Sequence, residues 1–133
     1  MSRTNLPPLS EAEWKVMNAV WARSGAVSAR DVHDALAGST RWAYTTVKTL
    51  LDRLVAKGAL SARKAGHVSI YRARLPRQRA VAAAARTLAD RAFGGAVAPL
   101  VHHLLGSHAL SARDRAEIRR MLDDAARPEG DPE

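Results

Sequence analysis

The segment from Thr40 to Gly58 restricts the folds open to this chain more than any other. Val47, Leu50, Leu51 and Leu54 recur at the i, i+3, i+4, i+7 spacing of one buried helical stripe. The other side of that helix carries Thr45, Lys48, Thr49, Asp52 and Arg53, with Thr46 on its shoulder. Short hydroxyls among long cations suit a helix lying in a DNA major groove. Threonine reaches base edges or phosphates there, and lysine and arginine neutralise the backbone. Gly58 closes the helix, and two strand-length runs follow at once, at 60–64 and 68–73, joined by Ala65-Gly66-His67. Period-two alternation from Val68 and the glycine between the runs predict a β-hairpin. A helix followed directly by a basic hairpin is the order of a winged helix-turn-helix. Arg63 and Lys64 precede the hairpin tip and His67 stands at it, where a wing meets phosphate or the minor groove. The candidate DNA-contacting residues are therefore Thr45, Thr46, Lys48, Thr49 and Arg53 on the helix, with Lys64 and His67 on the wing.

The charge distribution points the same way. Of the net charge of +8, residues 1–75 hold +7 and residues 76–133 only +1. Between positions 41 and 79, ten lysines and arginines stand against a single acid, Asp52. Such a cluster is the footprint of a polyanion partner. The near-neutral second half argues against a uniform arginine bias as its source. A chain of 133 residues is about one domain with an appendage, and its 47% hydrophobic content allows a modest core. With no cysteine, disulfides, thiol redox sensing and thiolate metal sites are excluded. No apolar run approaches the ~18 residues that span a bilayer. The opening Met-Ser-Arg-Thr-Asn-Leu-Pro-Pro lacks the apolar segment of a signal peptide, so a cytoplasmic protein without membrane contact is expected.

Three helix starts share one device. Ser10-x-x-Glu13, Ser28-x-x-Asp31 and Ser111-x-x-Asp114 each place a hydroxyl at an N-cap and an acid three residues on. Glu13 is expected to close the reciprocal box best, because the shorter aspartate reaches back less well. The first helix is predicted over 10–22, with Trp14, Met17, Val20 and Trp21 along one side and Val16 widening the stripe. The second, over 28–36, is predicted to bury Val32, Ala35 and Leu36, and the third to span 43–57. Trp14, Trp21 and Trp42 are read as core aromatics, and Trp42 as a one- or two-residue strand beside the hairpin.

Pro76 marks a composition change, which divides the chain into a winged-helix DNA-binding domain (1–75), a helical domain (76–127) and a disordered tail (128–133). Helices are predicted at 80–92, at 96–105 with Pro99 in the first turn, and at 111–126. Their apolar faces are too narrow to close a core alone. Val97, Leu100, Val101, Leu104, Leu105, Ile118, Met121 and Leu122 would leave an exposed patch on a monomer. Pairing with a second copy covers it. The alternative is a monomer whose helices fold back on the N-terminal domain. A two-fold dimer sets two recognition helices one DNA turn, or a multiple, apart and so expects a palindromic operator.

Two motifs, Leu9-Ser-Glu-Ala-Glu-Trp-Lys-Val-Met-Asn-Ala-Val-Trp21 and Thr45-Thr-Val-Lys-Thr-Leu-Leu-Asp-Arg-Leu-Val-Ala-Lys-Gly58, resemble the penicillinase-repressor (BlaI/MecI) family of bacterial regulators. The resemblance covers roughly residues 6–126 and is strongest over 9–21 and 42–73. It implies a homodimeric winged-helix repressor on TACA/TGTA-type dyads upstream of β-lactamase, efflux or other stress genes. By position it implies DNA contacts from Thr45, Thr46, Lys48, Thr49 and Arg53. Family members under a membrane sensor-protease resemble one another around an Asn-Phe cleavage site in the first dimerisation helix, where this chain has His102-His103. The cysteine pairs of the copper-responsive branch are absent.

Other chemistry has little footing. Adjacent helical residues such as His102 and His103 point about 100° apart and do not suit one ion, and no acid stands between 91 and 113 to complete a set with His108. No metal or cofactor is expected. Phosphate-loop, nucleophile-elbow and metalloprotease patterns are missing, so an enzyme is not expected either. Two alternatives remain open: a winged-helix protein-interaction module, and a nonspecific DNA-binding protein.

Overall fold

In the computed structural model, residues 6–107 and 110–126 are described; His108 and the tail at 128–133 lie outside them. The elements run α1 (Glu11–Trp21), β1 (Val27–Ser28), α2 (Ala29–Leu36), α3 (Tyr44–Lys57), β2 (Leu60–Ala65), β3 (Val68–Ala73), α4 (Arg77–Phe93), α5 (Val97–Ser107) and α6 (Ala112–Ala126). The fold is mainly helical, with a three-stranded antiparallel sheet in the order β1-β3-β2.

Serines set where three helices begin. The Ser10 hydroxyl accepts from the Glu13 amide at 3.1 Å, and Glu13 Oε1 accepts from the Ser10 amide at 2.8 Å. Ser28 and Asp31 exchange the same two bonds at 3.1 and 3.0 Å, and Ser111 and Asp114 at 3.0 and 3.3 Å. All three boxes close, and the reach-back bond is shortest for glutamate, at 2.8 Å against 3.0 and 3.3 Å for the two aspartates, as expected. Ser10 and Ser28 share the extended N-cap conformation (ψ 169° in both). At the other end of α3, Gly58 adopts φ +91°, and its amide and that of Ala59 cap the carbonyls of Val55 and Leu54 at 3.0 Å. A Cβ there would stand 3.2 Å from Leu6, so this position favours glycine on both conformational and steric grounds.

The core lies among α1, α2, α3 and the sheet. α3 contributes Val47, Leu50, Leu51 and Leu54, all buried, as its spacing predicted. α1 contributes Val16, Met17 and Val20. α2 contributes Ala29, Val32 and Leu36, while Ala35 is exposed, because its Cβ falls on the side that the stripe 29, 32, 36 leaves to solvent. The tryptophans sit at the margin of this core. Trp21 and Trp42 are half-buried against it, and Trp14 is half-buried beside Trp21 with ring centroids 5.9 Å apart. Trp21 Nε1 donates to the Leu75 carbonyl at 2.9 Å, tying α1 to the chain after β3.

The third strand is Val27–Ser28, paired with Tyr71 and Ile70, and Trp42 is not part of the sheet. The backbone of Trp42 is engaged locally. Its carbonyl accepts from His33 Nε2 at 3.0 Å, and its amide donates to Thr40 Oγ1 at 3.4 Å. The hairpin is tighter than its sequence suggested, since Ala65 pairs with Val68 and leaves Gly66-His67 as a two-residue turn, with Gly66 at φ +69°.

Glu13 is 1% exposed, and its partner comes from across the core. Lys57 Nζ, at the end of α3, donates to Glu13 Oε1 at 2.6 Å and to the Pro8 carbonyl at 2.9 Å. Burial alone would raise the carboxyl pKa. Hydrogen bonds from Lys57 and the Ser10 amide, with the lysine's charge, outweigh that and hold it below the ordinary 4.5.

The chain forms two compact units, residues 1–85 and 86–133, dividing within α4. In the second unit, α5 and α6 bury none of their residues.

A carboxylate with a depressed folded pKa stabilises the fold above its unfolded pKa, and that contribution is lost as pH falls through the folded value. Stability should therefore fall below about pH 4.5. Lys57→Met strands a buried carboxylate and should cost ~3 kcal/mol at neutral pH. The gap to the parent should then narrow in acid, as Glu13 protonates. Melting by circular dichroism between about pH 3 and 7 checks both; a gap that is constant across the series would remove Glu13 as its source.

Candidate nucleic-acid interface

Burial of one α3 stripe dictates what the rest of the helix shows to solvent. Thr45, Thr46, Thr49 and Arg53 are exposed and Lys48 is half-exposed, so the five helix residues singled out from sequence lie on one accessible surface. The start of α3 differs from those of α1 and α2. Its N-cap is Ala43, and no side chain caps the first turn, which leaves the positive end of the helix dipole for an outside acceptor. Tyr44 stands at this end, 46% exposed, with its ring edge-on to His33 at 6.1 Å.

Sheet register decides which wing cations share a side. Ala62 pairs with Tyr71 and Lys64 with Ser69, so Lys64 projects from the same face of the sheet as Tyr71; Arg63, opposite Ile70, projects from the other. Lys64 and His67 are both exposed. The charge of Lys64 contributes to lowering the pKa of Asp52 on α3, which links this wing residue to the helix face.

Asp52 joins the helix to the wing. Its Oδ1 accepts from the Tyr71 hydroxyl at 2.8 Å, and its Oδ2 accepts from Lys48 Nζ at 2.9 Å. Tyr71 is fully buried, so its ring belongs to the core while its hydroxyl finds its acceptor on α3. Lys48 Nζ also stands 5.8 Å from the centroid of the Tyr71 ring, in cation–π range. The hydrogen bond to Asp52 raises the Lys48 pKa well above the usual lysine value, with Tyr71 adding to it. Burial would raise the Asp52 pKa, but hydrogen bonds from Lys48 and Tyr71 and the charges of Lys48 and Lys64 hold it below 3.8. Burial is the main cause of a raised Tyr71 pKa, and the Asp52 hydrogen bond adds to it. At neutral pH the cluster is an ammonium, a carboxylate and a neutral phenol.

This cluster was not foreseen from the sequence. Its visible signs were the isolation of Asp52 among ten cations and the i, i+4 spacing of Lys48 and Asp52. Tyr71 read simply as a strand residue, and Tyr44 was not singled out. In the second unit, Val97, Val101, Leu104, Leu105, Met121 and Leu122 are exposed, with Leu122 at 65%, while Leu100 and Ile118 are half-buried. The His102 and His103 rings are exposed and meet edge-on at 5.9 Å. Among the described residues, no group of three or more His, Cys, Asp or Glu is placed to hold a metal ion, and no helix is long and apolar enough to cross a membrane.

Residues 9–124 match the family model described as Penicillinase repressor. The chain is 27% identical over 119 residues to the penicillinase repressor of Bacillus licheniformis, covering 90% of this chain and 92% of that protein. It is 25% identical over 115 residues to the methicillin resistance regulatory protein MecI of Staphylococcus aureus (strain N315), covering 86% and 93%. A solution structure of the DNA binding domain of the repressor BlaI is similar with a TM-score of 0.51 at 32% identity, over 56% of this chain and 90% of that one.

Proposed function

This chain belongs to the penicillinase repressor family, a family of DNA-binding repressors, and from that premise we propose that it represses transcription as a homodimer on a palindromic TACA/TGTA-type operator. The observation that carries the reading is the exposed face of α3, with three threonines, Lys48 and Arg53 beside the basic wing. The hydroxyls and Arg53 read base edges in the major groove, and Lys64 and His67 engage the backbone alongside. β-Lactam resistance or other stress genes are the proposed targets, in keeping with the names of the two relatives.

In this proposal residues 1–75 bind DNA and residues 76–127 pair two copies. The exposed Leu104, Leu105, Met121 and Leu122 support the pairing, since apolar side chains on two helices that bury nothing gain most from a second copy. Proteolytic release at an Asn-Phe bond is not included, because His102-His103 stands in its place.

Fluorescence anisotropy on the DNA upstream of the chain's own gene and on a shuffled duplex tests the repressor reading across a salt series. Selective binding that weakens steeply with salt is expected; equal, weak binding to both duplexes would leave a nonspecific DNA binder. Absence of binding at low salt would point instead to a protein-interaction module.

Arg53→Ala should weaken binding to the upstream fragment. A base contact would relax selectivity at one position by about 1–3 kcal/mol, and a phosphate contact would lower the salt slope by about one for both duplexes. Unchanged affinity would sink the groove assignment. Leu104→Asp combined with Leu122→Asp should give monomers with weak operator binding, and a dimer that persists by light scattering would refute the proposed interface.

A further inference from the structure

Asp52 is the one acid between residues 41 and 79, and its side chain is 55% exposed on the very surface proposed to meet DNA. A carboxylate there opposes phosphate, so its position needs a physical reason. Both of its oxygens are engaged, one by the hydroxyl of the buried Tyr71 and one by Lys48. An unpaired lysine is a flexible point charge that takes any phosphate within reach. Held on Oδ2 and standing over the Tyr71 ring, the half-exposed Lys48 ammonium still has N–H donor capacity for another acceptor. Its origin is then fixed relative to both α3 and the central strand. A fixed donor avoids the ordering cost of binding in the one register it fits, and it gains nothing in others. The same carboxylate cancels one cation in loose electrostatic docking, whose strength follows the number of charges neutralised.

We propose that Asp52 is a positioning and specificity-determining residue: it holds Lys48 as a fixed donor for one docking register and withholds that charge from unselective DNA. This rests on the operator-binding reading above, and it extends that reading to a residue that need not touch DNA itself.

The test uses the full chain, the duplex upstream of its own gene and a shuffled duplex of the same length and composition. Asp52→Asn keeps an oxygen for the Tyr71 hydroxyl and removes the charge, so its melting temperature reports that the fold is kept. Binding of this variant to the shuffled duplex should tighten about eightfold at 0.1 M salt, with a slope steeper by ~0.9, the effect of one added phosphate contact. Affinity for the upstream duplex should fall, and the preference should drop on the order of tenfold, the scale of one good base contact. In a Lys48→Gln background, Asp52→Asn should change the preference no further, because the effect runs through Lys48.

If the asparagine variant folds poorly, Asp52→Glu carries the test, with the wild-type slope on shuffled DNA expected and a reduced preference, since the charge is kept but displaced. An unchanged preference in the folded variant, or an equal effect with and without Lys48, would overturn this role while leaving the repressor reading intact. A wild-type chain with no preference between the two duplexes would overturn both.

Discussion

Tyr71 is the point on which the rest of this structure depends. It lies on the central strand of the sheet, between Val27 and Ala62, and is fully buried. A phenol in that position must place its ring in the core and find an acceptor for its hydroxyl, since an unmatched buried hydroxyl is costly. Asp52 is that acceptor. The helix that packs its apolar stripe into the core is thus also pinned, on its polar side, to the hairpin that follows it. α3 and the hairpin are joined by a bond at the surface and by packing beneath.

Two ion pairs, one buried and one exposed, serve different parts of α3. Glu13 and Lys57 fasten its C-terminal end to the first turn of α1 and to the chain around Pro8. Lys48 and Asp52 lie on the side facing solvent, one turn apart, and are open to water and to salt. Burial makes the first pair a matter of stability, because loss of Lys57 would strand a buried carboxylate. Exposure makes the second worth little as a stabiliser, so its interest lies in where it holds an ammonium.

The two compact units differ in how their apolar surface is used. The first closes a core from three helices and a sheet, with hydrogen-bonded caps at the starts of α1 and α2. The second leaves most of the large side chains of α5 and α6 exposed. Large apolar side chains left exposed on two helices gain from a second copy, which is why the proposed DNA-binding and pairing roles fall on different parts of the chain.

Much of this was legible in the sequence because it depends on periodicity and local hydrogen bonding. The α3 stripe, its polar face, the serine caps, Gly58 and the hairpin all follow from residues within a few positions of one another, and each formed where its pattern lay. Family membership was legible for the same reason, through the motifs at 9–21 and 45–58. What the sequence left undecided required partners distant along the chain. Val27–Ser28, not Trp42, supplies the third strand by pairing with Tyr71 and Ile70, more than forty residues away. Register put Lys64, rather than Arg63, on the Tyr71 side. Lys57 met Glu13 across 44 residues and Tyr71 met Asp52 across 19, contacts that no local spacing encodes. Spacing along the chain determines which face of a helix is polar and sets Lys48 one turn from Asp52; tertiary packing decides the rest, because only folding brings Tyr71 to Asp52 and Glu13 to Lys57 within a hydrogen bond's length.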